Sequence, residues 1–131
     1  MLDLKIKYNE LTAEQFIELW ETVWGDGPSL EQTRLAMKHT LFRVSIWDGD
    51  CIVAMARMNG DMGLNYYIKD VVVRPEYQGK GYGRDAVNVL LQKPEITFPV
   101  TLHVTEENEA AFKIYKRMGF VTTQELMEYW Y

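Results

Sequence analysis

The sequence is poor in the features that mark several protein classes. It has one cysteine among 131 residues, Cys51, so no internal disulfide can form and a reducing cytoplasm is the expected setting. No apolar run approaches the roughly 20 residues that a helix needs to cross a bilayer, so no membrane partner is expected. The opening MLDLKIKYNE alternates apolar and polar residues and reads as a strand, not as a signal peptide. Histidine is scarce too: His39 and His103 have no cysteine or acidic partner at ligand spacing, so no metal site is expected. Positive charge is in deficit, with 14 basic against 19 acidic residues and a net charge of −5. Such a surface repels nucleic acid and favours cationic partners. Repeats, low-complexity tracts and linkers are absent, and 47% hydrophobic with 25% charged residues is ordinary globular usage. One domain over residues 1–131 is expected.

What is present alternates between strand and helix patterns. Leu2, Leu4 and Ile6 alternate with charged residues in a half-buried strand. Thr12-Ala13-Glu14-Gln15 and Ser29-Leu30-Glu31-Gln32 are capping-box patterns opening two helices, the first carrying Phe16, Leu19, Trp20 and Val23 at helical spacing. Residues 41–47 and 51–58 read as strands joined by the hairpin signal Asp48-Gly49-Asp50. A long apolar strand follows over 64–73, then a glycine-rich loop, and then a helix over 84–92. Residues 100–104 read as a buried strand, and Asn108 caps a helix that ends at Gly119. Residues 120–123 and 126–131 complete the set as two further strands. The order implies an α/β (α+β) fold with a mixed, mostly antiparallel sheet of about seven strands flanked by four helices.

The loop Arg74-Pro-Glu-Tyr-Gln-Gly-Lys-Gly-Tyr-Gly-Arg84 places Gly79, Gly81 and Gly83 at alternate positions with Lys80 and Arg84 beside them. Three phosphate-binding patterns can be tested against it. A dinucleotide fingerprint G-x-G-x-x-G fails, because Arg84 stands where the third glycine belongs. The P-loop pattern G-x-x-x-x-G-K-[ST] is absent. The third, Gln78-x-x-Gly81-x-Gly83 between strand and helix, fits: glycines let backbone N–H groups close on a pyrophosphate, and the helix adds its positive end. The plainer reading is a tight strand-to-helix turn with solvated basic residues.

This stretch, with the strand VVV before it, resembles the [QR]-x-x-G-x-[GA] signature of the GNAT superfamily of N-acetyltransferases. The order of elements is similar to that fold over essentially the whole chain. A second segment, NEAAFKIYKRMGF from Asn108 to Phe120, puts Asn108, Ala111 and Tyr115 on one helix face and resembles the other half of the signature. Read alone, it is equally the core face of an amphipathic helix.

The resemblance implies acetyl-CoA as cofactor. Its pyrophosphate would lie on Gln78, Gly79, Lys80, Gly81, Tyr82, Gly83 and Arg84. Its pantetheine arm would lie along Val71, Val72 and Val73, with Asn108 and Ala111 in contact. A backbone N–H at Val71 or Val72 would hold the oxyanion, and Tyr115 would protonate the departing thiolate. Asp70, expected on the same face as Ile68 and Val72 and opposite Tyr67, Lys69 and Val71, would bind or deprotonate the amine, directly or through water. Tyr67 stands where some relatives carry a glutamate base, which leaves a water chain open. Trp20, Trp24, Tyr67 and Asp70 would line the acceptor pocket for a small-molecule amine. Acetylation of a protein or peptide, and a non-catalytic acyl-CoA sensor, are the alternatives. A homodimer contact at the final hairpin is left open.

Overall fold

The computed structural model describes residues 2–104, 107–123 and 127–130. They fall into two compact units, Met1–Thr101 and Leu102–Tyr131. The first holds strand β1 (Leu4–Tyr8), helices α1 (Ala13–Trp24) and α2 (Leu30–His39), strands β2 (Phe42–Asp48), β3 (Cys51–Gly60) and β4 (Tyr66–Val73), and helix α3 (Tyr82–Leu91). Strand β5 (Val100–Leu102) begins in that unit, and helix α4 (Glu109–Met118) belongs to the second.

The local signals for the helices are realised. Thr12 caps α1 by accepting from the Gln15 amide, and the Gln15 side chain accepts in return from the Thr12 amide, so two orphan donors are satisfied at once. Ser29 caps α2 through the Gln32 amide. The sheet runs in the order β1-β2-β3-β4-β5, with the first four strands antiparallel to their neighbours. The turn before β4 is held by Asp61, whose Oδ1 accepts from the amides of Gly63, Leu64 and Asn65 at 2.8–3.0 Å. One face of the sheet buries Leu11, Phe16 and Leu19 against Trp47, Ile52, Met55 and Val72.

Five strands rather than about seven form the sheet among the described residues. Residues 120–123 and 127–130 are not strands, and 124–126 and 131 lie outside the described residues. The apolar and aromatic residues of 126–131 suit a strand, but a strand exists only where a neighbour accepts its hydrogen bonds, and composition alone supplies none.

The alternation expected along β4 is also corrected. Arg57 pairs with Lys69 and Met55 with Val72, so two steps on β3 match three on β4, and Asp70 and Val71 have no partner on β3. Asp70 adopts φ +57°, the left-handed region that aspartate tolerates better than most residues. This is a β-bulge, and it inverts the phase of the strand. Before it, Ile68 pairs with Met58; after it, Val72 joins the cluster with Phe16 and Met55, while Val71 and Val73 turn to the other face, against Gly83 of α3. Ile68 and Val72 therefore do not share a face.

Candidate acetyl-CoA site and its surroundings

The bulge is held from one side by charge. Arg57 Nε donates to Asp70 Oδ2 at 2.5 Å, with the two side chains only 13% and 7% exposed. The guanidinium also donates through Nη1 to Thr40 Oγ1 at 3.2 Å and to Asn59 Oδ1 at 3.1 Å, and lies 5.9 Å from the centre of the Phe16 ring. Breaking such a buried pair by removing one partner strands a desolvated charge, which costs about 3–5 kcal/mol. The expected amine-facing carboxylate is thus committed on Oδ2 to an arginine. The sequence signal for Arg57 is a lone arginine inside the apolar run IVAMARM, since a buried cation needs an anion.

The glycine loop starts from a fixed point. Arg74 Nε donates to the Ile52 carbonyl at 2.8 Å, and Nη2 reaches both oxygens of Glu18 at 2.6 and 2.8 Å. A single 3₁₀ turn over Pro75–Tyr77 follows, and Gln78 Nε2 donates to the Val73 carbonyl at 3.0 Å, tying the loop back to β4. The Tyr77 hydroxyl donates to Asp48 Oδ2 at 2.8 Å, and that bond raises its pKa to about 12. Glu18 and Asp48 lie 56 and 29 positions from their partners, so neither contact shows in local sequence.

Beyond Gln78 the glycines do different things. Gly79 and Gly81 have φ of +79° and +90°, which a side chain would strain. Gly83 packs closely on β4: a Cβ there would lie 3.3 Å from Val73 Cγ2, tight enough to shift that methyl slightly, and 3.6 Å from Val71 Cγ1. Gly81 is the N-cap of α3 and has no side chain to cap with, so the first-turn amides of Tyr82, Gly83 and Arg84 are not taken by a capping group. The Arg84 guanidinium folds over Gly81, with Nη2 2.6 Å from where a Cβ would stand. Lys80 is exposed and sits 5.9 Å from the Tyr77 ring. Free amides, a helix N-terminus and two exposed cations make a cradle with the chemistry of an anion site, and a pyrophosphate fits that donor set. Tyr82, expected beside the phosphates, is instead buried, with its ring 6.3 Å from that of Tyr77. Any contact it makes with an anion would be through its backbone.

On α1, Trp20 packs against the core and Trp24 stacks edge-on upon it at 4.6 Å while remaining 51% exposed. The two expected acceptor residues therefore separate into a packing residue and a surface one. Tyr67 is half-buried and pairs with Asn59 across the sheet.

In the second unit, Asn108 caps α4 by accepting from the Ala111 amide at 3.3 Å, which uses its Oδ1 and leaves its amide nitrogen for other work. Tyr115 stacks edge-on against Phe120 at 5.8 Å, and burial raises its pKa above the ordinary value. Gly119 ends the helix at φ +107°.

The sequence profile described as Acetyltransferase (GNAT) family matches residues 8–120, which takes in the bulged strand, the glycine cradle and α4. The chain belongs to this family. It is accordingly an acyltransferase, and its five-stranded sheet with four helices is the family's mixed α/β fold. Over 97% of its length it is 27% identical to an uncharacterized N-acetyltransferase, ycf52, from Pyropia yezoensis, covering 80% of that protein. It is 34% identical to the spermidine N(1)-acetyltransferase of Vibrio cholerae, over 44% of this chain and 35% of that one. A solved structure from meticillin-resistant Staphylococcus aureus, a protein of unknown function described as a probable acetyltransferase, superposes with a TM-score of 0.83. It is 25% identical, with 98% of this chain and all of that one covered.

Proposed function

We propose that the chain is an acetyl-CoA-dependent N-acetyltransferase of a small-molecule primary amine, acting as one domain over residues 1–131. The observation that carries this is the cradle at the start of α3, an uncapped glycine N-terminus reached from the bulged strand β4 through residues 74–81. The cradle would take the pyrophosphate through the amides around Gly81 and Gly83, with Lys80 and Arg84 as counter-ions. Gln78 and Gly79 shape the loop rather than bind through side chains. Val71 to Val73 would lie along the arm, and the bulge at Asp70–Val71, where the β3 register slips, would turn a backbone N–H toward it.

When bound, acetyl-CoA supplies a thioester whose acyl carbon an amine can attack. One of the bulge N–H groups would stabilise the negative charge that develops on the acetyl oxygen, a contribution of about 2.7–4 kcal/mol. Tyr115, kept protonated by burial, would give its proton to the departing sulfur. Asn108 and Ala111 would line the arm on the helix that carries it. An amine with a pKa near 10 must lose a proton to react. Since Asp70 is held by Arg57, we assign that step to water and give Asp70 an anchoring role. Exposed Trp24 suits an amine with an apolar or extended body, and the net charge of −5 suits a cation. The partial likeness to a spermidine acetyltransferase supports the small-amine assignment.

The test is release of free thiol from acetyl-CoA over a panel of polyamines, aminoglycosides, aryl amines and basic peptides. Turnover on small amines is expected. Turnover on peptides alone, or CoA binding without turnover on anything, contradicts it.

A further inference from the structure

We infer that Arg57 is a positioning residue for acyl transfer, acting through the β4 bulge without touching either substrate. The inference rests on the proposed acetyl-transfer reading. The bulge carries a cost. Asp70 sits at φ +57° and gives up its pairing with β3, so the strand has a ready alternative: regular pairing with the phase of residues 71–73 reversed. That alternative would turn Val71 and Val73 away from Gly83 and move every backbone donor offered to the acyl group.

Arg57 opposes the slip. It lies on β3 opposite Lys69, one residue before the bulge, and its Nε takes the Asp70 carboxylate while Nη1 is fixed by Thr40 and Asn59. Thr40 follows α2 and Asn59 lies two positions along β3, so the guanidinium is braced from two elements while it holds a third. Arginine suits this because its planar fork serves Asp70, Thr40 and Asn59 at once, which a lysine ammonium on one flexible stem does not match. A bulge that shifts by about 1 Å misplaces donors for the reacting oxygen, an error able to cost on the order of a hundredfold in rate.

The experiment compares wild type with Arg57→Gln, Arg57→Lys and Asn59→Ala by two readouts. The first is steady-state acetyl transfer, separating kcat from the KM for acetyl-CoA. The second is amide hydrogen exchange of the protein without ligand. Arg57→Gln is expected to lower kcat at least tenfold, to change KM less than threefold, and to speed exchange of the 70–72 amides at least tenfold while β1 and β2 stay as in wild type. Arg57→Lys should recover part of both losses. Asn59→Ala keeps the ion pair, folds with little penalty, and should show a loss of a few-fold in each. Unchanged exchange at 70–72 overturns the inference, and so does a kcat loss without it. A wild type that binds CoA but turns over no amine refutes the acetyl-transfer reading instead, and exchange alone then decides whether Arg57 holds the bulge.

Discussion

Placing a side chain at Gly81 separates strain in the loop from loss of an anion site. The position has φ +90°, and a left-handed conformation costs a residue with a β-carbon about 1–2 kcal/mol. For a chain of this size that lowers Tm by roughly 3–8 °C. Gly81→Ala adds a second effect, because its Cβ would lie 2.6 Å from Arg84 Nη2 and must push the guanidinium off the loop. The flexible end of Arg84 can move at small cost, so stability suffers only the backbone term, while the anion site loses a counter-ion. Gly81→Asp goes further and puts a negative charge within about 5 Å of a bound pyrophosphate. At an intermediate dielectric that repulsion is about 2 kcal/mol, or roughly thirtyfold in affinity. Gly49→Ala is the control, since φ +57° at the β2–β3 turn gives similar strain with open space around the Cβ. Calorimetric titration with CoA and thermal melts on all three variants decide the matter. CoA affinity should fall about thirtyfold in Gly81→Asp and stay within twofold in Gly49→Ala, with comparable losses of Tm. Equal affinities in the two would refute a cradle at Gly81 and leave the glycines as a turn.

Tyr115→Phe should lower kcat about 10²–10⁴-fold with little change in CoA affinity, and full kcat in the variant would remove the general-acid assignment. Because burial raises the Tyr115 pKa, the alkaline fall in wild-type kcat due to this group should lie above about pH 10, as a pH–rate profile would show. The same shift means the folded state keeps that proton longer than the unfolded one, so stability from this group is full below about pH 10 and declines above it. Asp70→Ala should cost about 3–5 kcal/mol in urea unfolding by stranding Arg57, whereas a loss under 1 kcal/mol would show the ion pair to be solvated. Asp61 runs in the opposite sense: three backbone amides hold its pKa below the usual range, so its contribution is present above about pH 4 and lost as acid protonates it. Asp61→Asn should therefore flatten the fall of Tm between about pH 5 and pH 2.5 relative to wild type.

Much of this was legible because the signals are local. Thr12 with Gln15, Ser29 with Gln32, and Asn108 each act within one helical turn, and Gly119 adopts the left-handed conformation that its position after α4 implies. The conformation of the glycine loop was legible for the same reason, since Gly79 and Gly81 adopt positive φ and Gly81 opens α3 between strand and helix. The bulge was not. Residues 71–73 are all valine, so reversing their phase leaves the hydrophobic pattern unchanged, and a period of two assigns Asp70 the wrong neighbours. The contacts that hold the site, Arg57 with Asp70 and Arg74 with Glu18, span 13 and 56 positions and exist only once the sheet and α1 are assembled. At the C-terminus, β-prone residues suggest strands over 120–123 and 126–131 that the described residues do not form.

We propose that the bulged strand and the glycine cradle together serve acetyl transfer to a small amine. The most direct test is mass spectrometry of a polyamine incubated with acetyl-CoA and the protein, alongside the count of free thiol. The expected result is a gain of about 42 Da on the amine, the mass of an acetyl group replacing one hydrogen, matched one-to-one by thiol released and abolished in Gly81→Asp. Thiol release with no acetylated amine, or acetylation undiminished in that variant, would contradict it.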